Sequence, residues 1–240
     1  MSLSRSFSYF FLGYINAIAR SYPLHDANGR TIDRSSKLYT VFAGGDDLFL
    51  LGPWDAVIAA AFQIRQDFIR YTDNRANLTI SAGITYFKPT FPIRRFATQT
   101  FAALDEKAKE AKDKDALSLF GEVLHWDRPS KDNQGAERLA FDKLYTFAQN
   151  LAKLVKGQQA GEEISRSFLM ALLTLKRTSL DQGRIDWKWK LLYLLAQAGV
   201  HASGESEKGR LLAPLAEGDG RWFRNLEFPL MWVLLKTRKG

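Results

Sequence analysis

The chain of 240 residues has no cysteine, which excludes disulfides, thiolate zinc sites and iron–sulfur clusters, and makes a reducing cytoplasm its natural setting. Histidine is nearly as scarce. His25, His125 and His201 stand apart and show no metal-ligand spacing, and His25-Asp26 reads as a turn pair in a polar stretch. Long hydrophobic runs are missing too. Residues 7–18 are amphipathic and bracketed by Arg5 and Arg20, residues 229–235 are far too short to cross a bilayer, and no signal peptide is legible. No low-complexity tract argues for disorder and no internal repeat stands out. What is present is ordinary for a globular protein: 46% hydrophobic residues, enough for one large or two modest domains with real cores.

Charge is uneven. Of the net +8, residues 1–130 hold 16 Lys and Arg against 14 Asp and Glu, whereas residues 131–240 hold 18 against 12. A basic second half suits nucleic acid or an acidic partner; a solvated helical surface is the competing explanation.

The most informative segment is Gly44-Gly45-Asp46-Asp47, set between the apolar runs 38–43 and 48–51. Both runs carry the pattern of strands buried on both faces, which makes the segment a hairpin turn. Glycines permit the turn and leave backbone N–H groups open to a close ligand. Two adjacent carboxylates suit a hard cation carrying phosphate, although Asp and Gly are also the commonest residues of a purely structural turn.

Around this hairpin the pattern predicts a helix on Leu3, Phe7, Phe10, Phe11, Tyr14 and Ile18, and a second opened by Pro53 with Trp54, Val57, Ile58, Ala61, Ile64 and Phe68. Period-two alternation predicts a strand from Leu78 to Tyr86. A third helix on Ile93, Phe96, Thr100, Leu104, Ala108 and Ala111 ends in Lys107, Lys109, Lys112 and Lys114. A short strand over 116–120 follows, with an extension through Val123 to Trp126. The order is that of an α+β sandwich layer. A composition break at 128–135 sets the domains at 1–128 and 129–240. Beyond it the chain reads as all helical, with helices around 140–155, 164–175 and 187–198, Gly199 as a C-cap, a polar loop over 203–209, and a last helix over 221–236 kinked or restarted at Pro229.

This order, with Gly-Gly-acidic residues on a central turn, resembles the palm fold shared by diguanylate cyclases and the polymerase-like large subunit of type III-A CRISPR-Cas effector complexes. The match to the CRISPR subunit spans most of residues 1–128. It rests on residues 3–16, on Phe42–Trp54 with the Gly-Gly-Asp-Asp motif, on Ile80–Ile84, on Pro92–Ala97 and on Leu119–Trp126. A diguanylate cyclase would carry Gly-Gly-Asp/Glu-Glu-Phe, against which Asp47-Leu48 counts. The resemblance implies a ferredoxin-like nucleotidyl cyclase domain followed by an all-α bundle. It also implies that the palm's first strand, with its metal-binding aspartate, comes from a partner chain or from the N-terminal part of the large subunit.

The implied activity is a nucleotidyltransferase reaction, cyclic oligoadenylate synthesis from ATP on binding of target RNA. Asp46 and Asp47 would be catalytic and hold Mg²⁺ or Mn²⁺. Gly44 and Gly45 would admit the triphosphate. Lys112 would neutralise phosphate, and Ser4 and Ser8 would face the nucleotide. The implied partners are other effector subunits and the guide and target RNAs, with no membrane. A catalytically silent scaffold and a stand-alone diguanylate cyclase are the alternatives.

Overall fold

The computed structural model describes residues 3–15, 24–25, 31–32, 38–75, 77–88, 90–109, 111, 114–131, 135, 137–155, 163–180, 186–200, 206–216 and 220–238. Its packing divides the chain into two units, Met1–Trp126 and Asp127–Gly240. Among the described residues no helix is long and apolar enough to cross a membrane.

In the first unit, α1 (Leu3–Ser8) runs directly into a π-helical turn, Tyr9–Tyr14, closed by the N–H of Ile15 donating to the carbonyl of Phe10. The wider turn buries the adjacent Phe10 and Phe11 together with Ile15. They pack on Ile64 and Phe68 of α2 (Trp54–Tyr71), with Phe10 edge-on to Phe68 at 5.4 Å. Tyr71 ties the two helices by donating to the carbonyl of Ser6 at 2.9 Å. Ile18, counted in the same apolar stripe, lies outside the described residues.

A two-residue ribbon, β1 (Leu24–His25) against β2 (Thr31–Ile32), precedes the hairpin of β3 (Tyr39–Gly44) and β4 (Asp47–Leu51). Leu48 and Leu50 pack against the phenylalanine core, and Phe49 stacks on Phe101 of α3 (Ile93–Ala103). The expected burial of β3 on both faces is not what forms: Tyr39, Val41 and Phe42 are exposed at 69%, 46% and 54%. A register shift between Thr40 and Phe42 interrupts the alternation, as a bulge does, and turns consecutive apolar side chains outward.

The strand foreseen over 78–86 is confined to β5 (Ala82–Ile84), because β6 (Ala116–Leu119) offers it three parallel pairs, Ala82 to Leu117 through Ile84 to Leu119. Leu78 and Ile80 lie outside the strand and pack, partly buried, against the core. The third helix is shorter than its apolar pattern, since α3 gives way to a π-helical turn at Leu104–Ala108. Trp126 does not extend β6. The chain reverses at Phe120-Gly121, both at positive φ, into antiparallel β7 (Glu122–His125), and the Trp126 indole donates to the carbonyl of Ile80 at 2.8 Å.

Among its described residues the second unit is helical but for a small ribbon, β8 (Ser130–Lys131) with β9 (Glu137–Arg138). Its helices are α4 (Phe141–Val155), α5 (Arg166–Leu180), α6 (Trp187–Gln197), α7 (Glu207–Ala216), α8 (Arg221–Arg224) and α9 (Glu227–Lys236). Residues 207–209, placed in the polar loop by the sequence, open α7. The last helix breaks at Asn225-Leu226, and Pro229 sits in the first turn of α9, where its missing N–H has no intrahelical partner to lose. Asn225 is fully buried and staples the end of α8 to β9, donating to the carbonyls of Glu137 and Arg221 and accepting from the N–H of Leu139. Gly199 follows α6 at φ +70, as its C-cap role requires.

Candidate active site

Gly44 pairs with Asp47 across the hairpin, so Gly45 and Asp46 are the two turn residues. Gly45 has φ +63 while Asp46 stays out of the left-handed region, the pattern of a II′ turn, which places glycine first. Gly44 is not at positive φ, and the Phe42 ring lies close to it. A Cβ there would lie 3.1 Å from the Phe42 ring. Both aspartates are exposed, Asp46 in the turn and Asp47 at the start of β4.

Asp46 and Asp47 lie on the wall of a cavity of about 550 Å³ within the first unit. Its apolar lining comes from Phe11, Leu48, Leu50, Ile64 and Phe68. Residues 78–81 and the following β5 also line it. Among the described residues neither the edge of β4 away from β3 nor the edge of β5 away from β6 carries a paired strand, and both strands line this cavity. Lys109 and Lys114 complete the lining. Lys109 pairs with Asp105 one turn earlier at 2.7 Å. Lys114 is exposed and takes φ +50. Behind it, Arg65 of α2 forms a buried ion pair with Asp115, Nη2 lying 3.0 and 3.1 Å from the two carboxylate oxygens.

The residues named from sequence are distributed as follows. Asp46 and Asp47 reach the cavity, and Gly44 and Gly45 shape the turn beneath them. Ser8 lies on α1 and is not among the lining residues; Ser4 is on the same helix, and its side chain lies outside the described residues. Lys112 lies outside them as well. Lys109 and Lys114 were legible only as members of a lysine run, because choosing among its lysines requires the helix phase, which the π-helical turn shifts.

Two adjacent exposed carboxylates are an oxygen donor set that fits Mg²⁺, an ion that takes one or two carboxylates and completes its shell with water and phosphate oxygens. Among the described residues no group of three or more acidic or histidine side chains is close enough to hold a metal. The volume is that of a site for a small organic ligand.

Comparison with known proteins agrees with this geometry. The Cas10/Csm1 protein of a subtype III-A CRISPR system from Streptococcus thermophilus, described as a single-strand-specific deoxyribonuclease, is 40% identical over 195 residues, 77% of this chain and 23% of that protein. The Csm1 crystal structure from T. onnurineus superposes with a TM-score of 0.72 at 24% identity, covering 98% of this chain and 34% of that one. A Csm1–Csm4 cassette in complex with cA4 gives 0.68 at 22% identity, covering 98% and 33%. The chain spans about a fifth to a quarter of the length of the curated relatives it matches. Residues 1–118 match the profile of the Cas10/Cmr2 second palm domain, and this part of the chain belongs to that domain family.

Proposed function

We propose that residues 1–128 are a nucleotidyl-transfer palm that joins adenylates from ATP into cyclic oligoadenylates, and that residues 129–240 are a helical domain anchoring it in a type III CRISPR RNA-guided effector complex. One observation carries the reading: a Gly-Gly-Asp-Asp turn sets two carboxylates on a nucleotide-sized cavity whose lining also includes two lysines. The cA4 held by the Csm1–Csm4 cassette, a protein of the same fold, supports the product class and an assembly with other subunits. Mg²⁺ or Mn²⁺ held by Asp46 and Asp47 would supply positive charge for the reacting phosphate and the leaving pyrophosphate. Gly44 and Gly45 let the triphosphate approach the backbone, while Leu48 and Leu50 close one side of the site to water.

The paired free edges of β4 and β5 favour one more element. An added strand, contributed by a partner chain or by the N-terminal part of a large subunit, would bond to both edges and bring a further aspartate beside Asp46. If residues 1–240 alone gave a soluble, monomeric, ATP-converting protein, that completion would be unnecessary. The activity itself is tested in the assembled complex with Mg²⁺ and target RNA. Asp46→Ala with Asp47→Ala should abolish ATP conversion while the complex still assembles, since exposed turn residues contribute little to stability. Equal turnover by both proteins would leave the palm a scaffold.

A further inference from the structure

We infer that Lys114 is a phosphate-binding residue whose position is set by the buried Arg65–Asp115 pair, an assignment that rests on ATP being the substrate of this site. The motivation is backbone strain next to a cavity. A non-glycine residue at φ +50 costs on the order of 1 kcal/mol, and lysine lacks the short polar side chain that eases Asn or Asp into this region. Asp73 and Asn74, at φ +54 and +53, are residues of that suitable kind. At Lys114 the conformation is therefore imposed by its surroundings.

Three contacts impose it. The N–H of Lys114 donates to the carbonyl of Ala111 at 2.8 Å, and its own carbonyl accepts from Ser81 Oγ at 2.7 Å. The following residue, Asp115, is 4% exposed and gripped by Arg65, itself 6% exposed. A buried ion pair adds little net stability over a well-packed apolar pair, so its effect here is geometric. It anchors the start of β6 to α2 and thereby fixes the backbone that presents Lys114 at the cavity holding Asp46 and Asp47. Those two carboxylates repel a polyphosphate, and a lysine on the same cavity supplies opposing charge without needing a defined direction of approach.

The test uses the assembled complex with Mg·ATP. Lys114→Gly removes the ammonium and the strain together, so the protein should melt at the same temperature or higher while KM for ATP rises about tenfold or more, the size of a lost charge-assisted hydrogen bond. Lys114→Arg should retain most of the affinity. Arg65→Gln and Asp115→Asn should raise KM in the wild-type background and add nothing in the Lys114→Gly background; Arg65→Lys serves the same cycle if either fails to assemble. Wild-type KM in Lys114→Gly overturns the phosphate role, and additive losses overturn the positioning role of the pair. Undiminished turnover in the Asp46→Ala, Asp47→Ala protein would instead overturn the site reading beneath both.

Discussion

Replacing Gly83 by alanine places a methyl group where the backbone of α3 already runs. A Cβ there would lie 2.5 Å from the amide nitrogen of Leu104, 2.8 Å from the carbonyl oxygen of Thr100 and 2.9 Å from the Leu104 Cα. All three atoms are backbone, at the junction between α3 and its π-helical turn, so no side-chain rotation relieves the clash. Ordinary contact begins near 3.4 Å, and β5 or α3 would have to move by most of an ångström. That movement is resisted because Gly83 pairs with Ser118 in β6, every residue of which is buried. Overpacking of this kind costs about 1–3 kcal/mol, which for a chain of this size corresponds to a fall in Tm of roughly 2–12 °C. Gly13→Ala is the control. Nothing lies within 4 Å of a Cβ at that helical position, and alanine is the better helix former, so no loss is expected. Thermal unfolding gives the magnitude, and amide hydrogen exchange over 82–84 and 116–119 locates it. If Gly83→Ala melted with the wild type and kept its protection there, the close approach of β5 to α3 would be refuted.

Two further outcomes concern the helical unit. Burial alone would raise the Glu227 pKa, but hydrogen bonds and charge from Arg177 and Lys176 outweigh it and hold the carboxyl below its ordinary value. The folded state therefore favours the ionised form, and this contribution is complete above the unfolded carboxylate range, about pH 4.3, and is lost as pH falls through the depressed value. Glu227→Gln should accordingly lower stability at pH 7 and narrow the gap between pH 7 and pH 3 in denaturant titrations; parallel acid losses in both proteins would contradict it. On α6, Trp189, Leu192 and Tyr193 are exposed at 77%, 44% and 63%, spaced three and four residues apart on one helical face. Trp189→Ala with Tyr193→Ala should weaken copurification with partner subunits without lowering Tm, and unchanged assembly would exclude that face as a contact.

The hairpin was legible because its signal is local. Two β-rich runs flank a turn in which Gly45, at positive φ, meets a conformational requirement. What covers those runs was not legible, because Val41 and Phe42 look the same in sequence whether a bulge turns them outward or a neighbour buries them. α7 as a whole was not legible: residues 203–209 read as a polar loop, no helix was read over 210–216, and Gly209 and Pro214 are both poor helix formers. In the structure Leu212 and Leu215 bury its inner face, and tertiary packing overrides local preference. The core of the second unit was read more fully, since Leu144, Phe147, Leu151 and Leu172 recur at helical spacing over long segments and all are buried. The lining that β5 gives the cavity depended on long-range register, Ala82 beside Leu117, which no short window of sequence contains.

The two π-helical turns have a consequence for how this palm tolerates change in length. Each closes a hydrogen bond over five residues, Phe10 to Ile15 and Leu104 to Lys109, where an α-helix closes it over four. A turn of this kind absorbs one surplus residue locally and leaves the phase of the helix on either side unchanged. Deletion of one residue between 9 and 14, or between 104 and 108, can thus turn a π turn into an α turn while Phe7 and Ile15, or Phe101 and Lys109, keep their faces. Alignment gaps among relatives should collect at these turns, so length variation there would mark a change of helical pitch rather than of architecture.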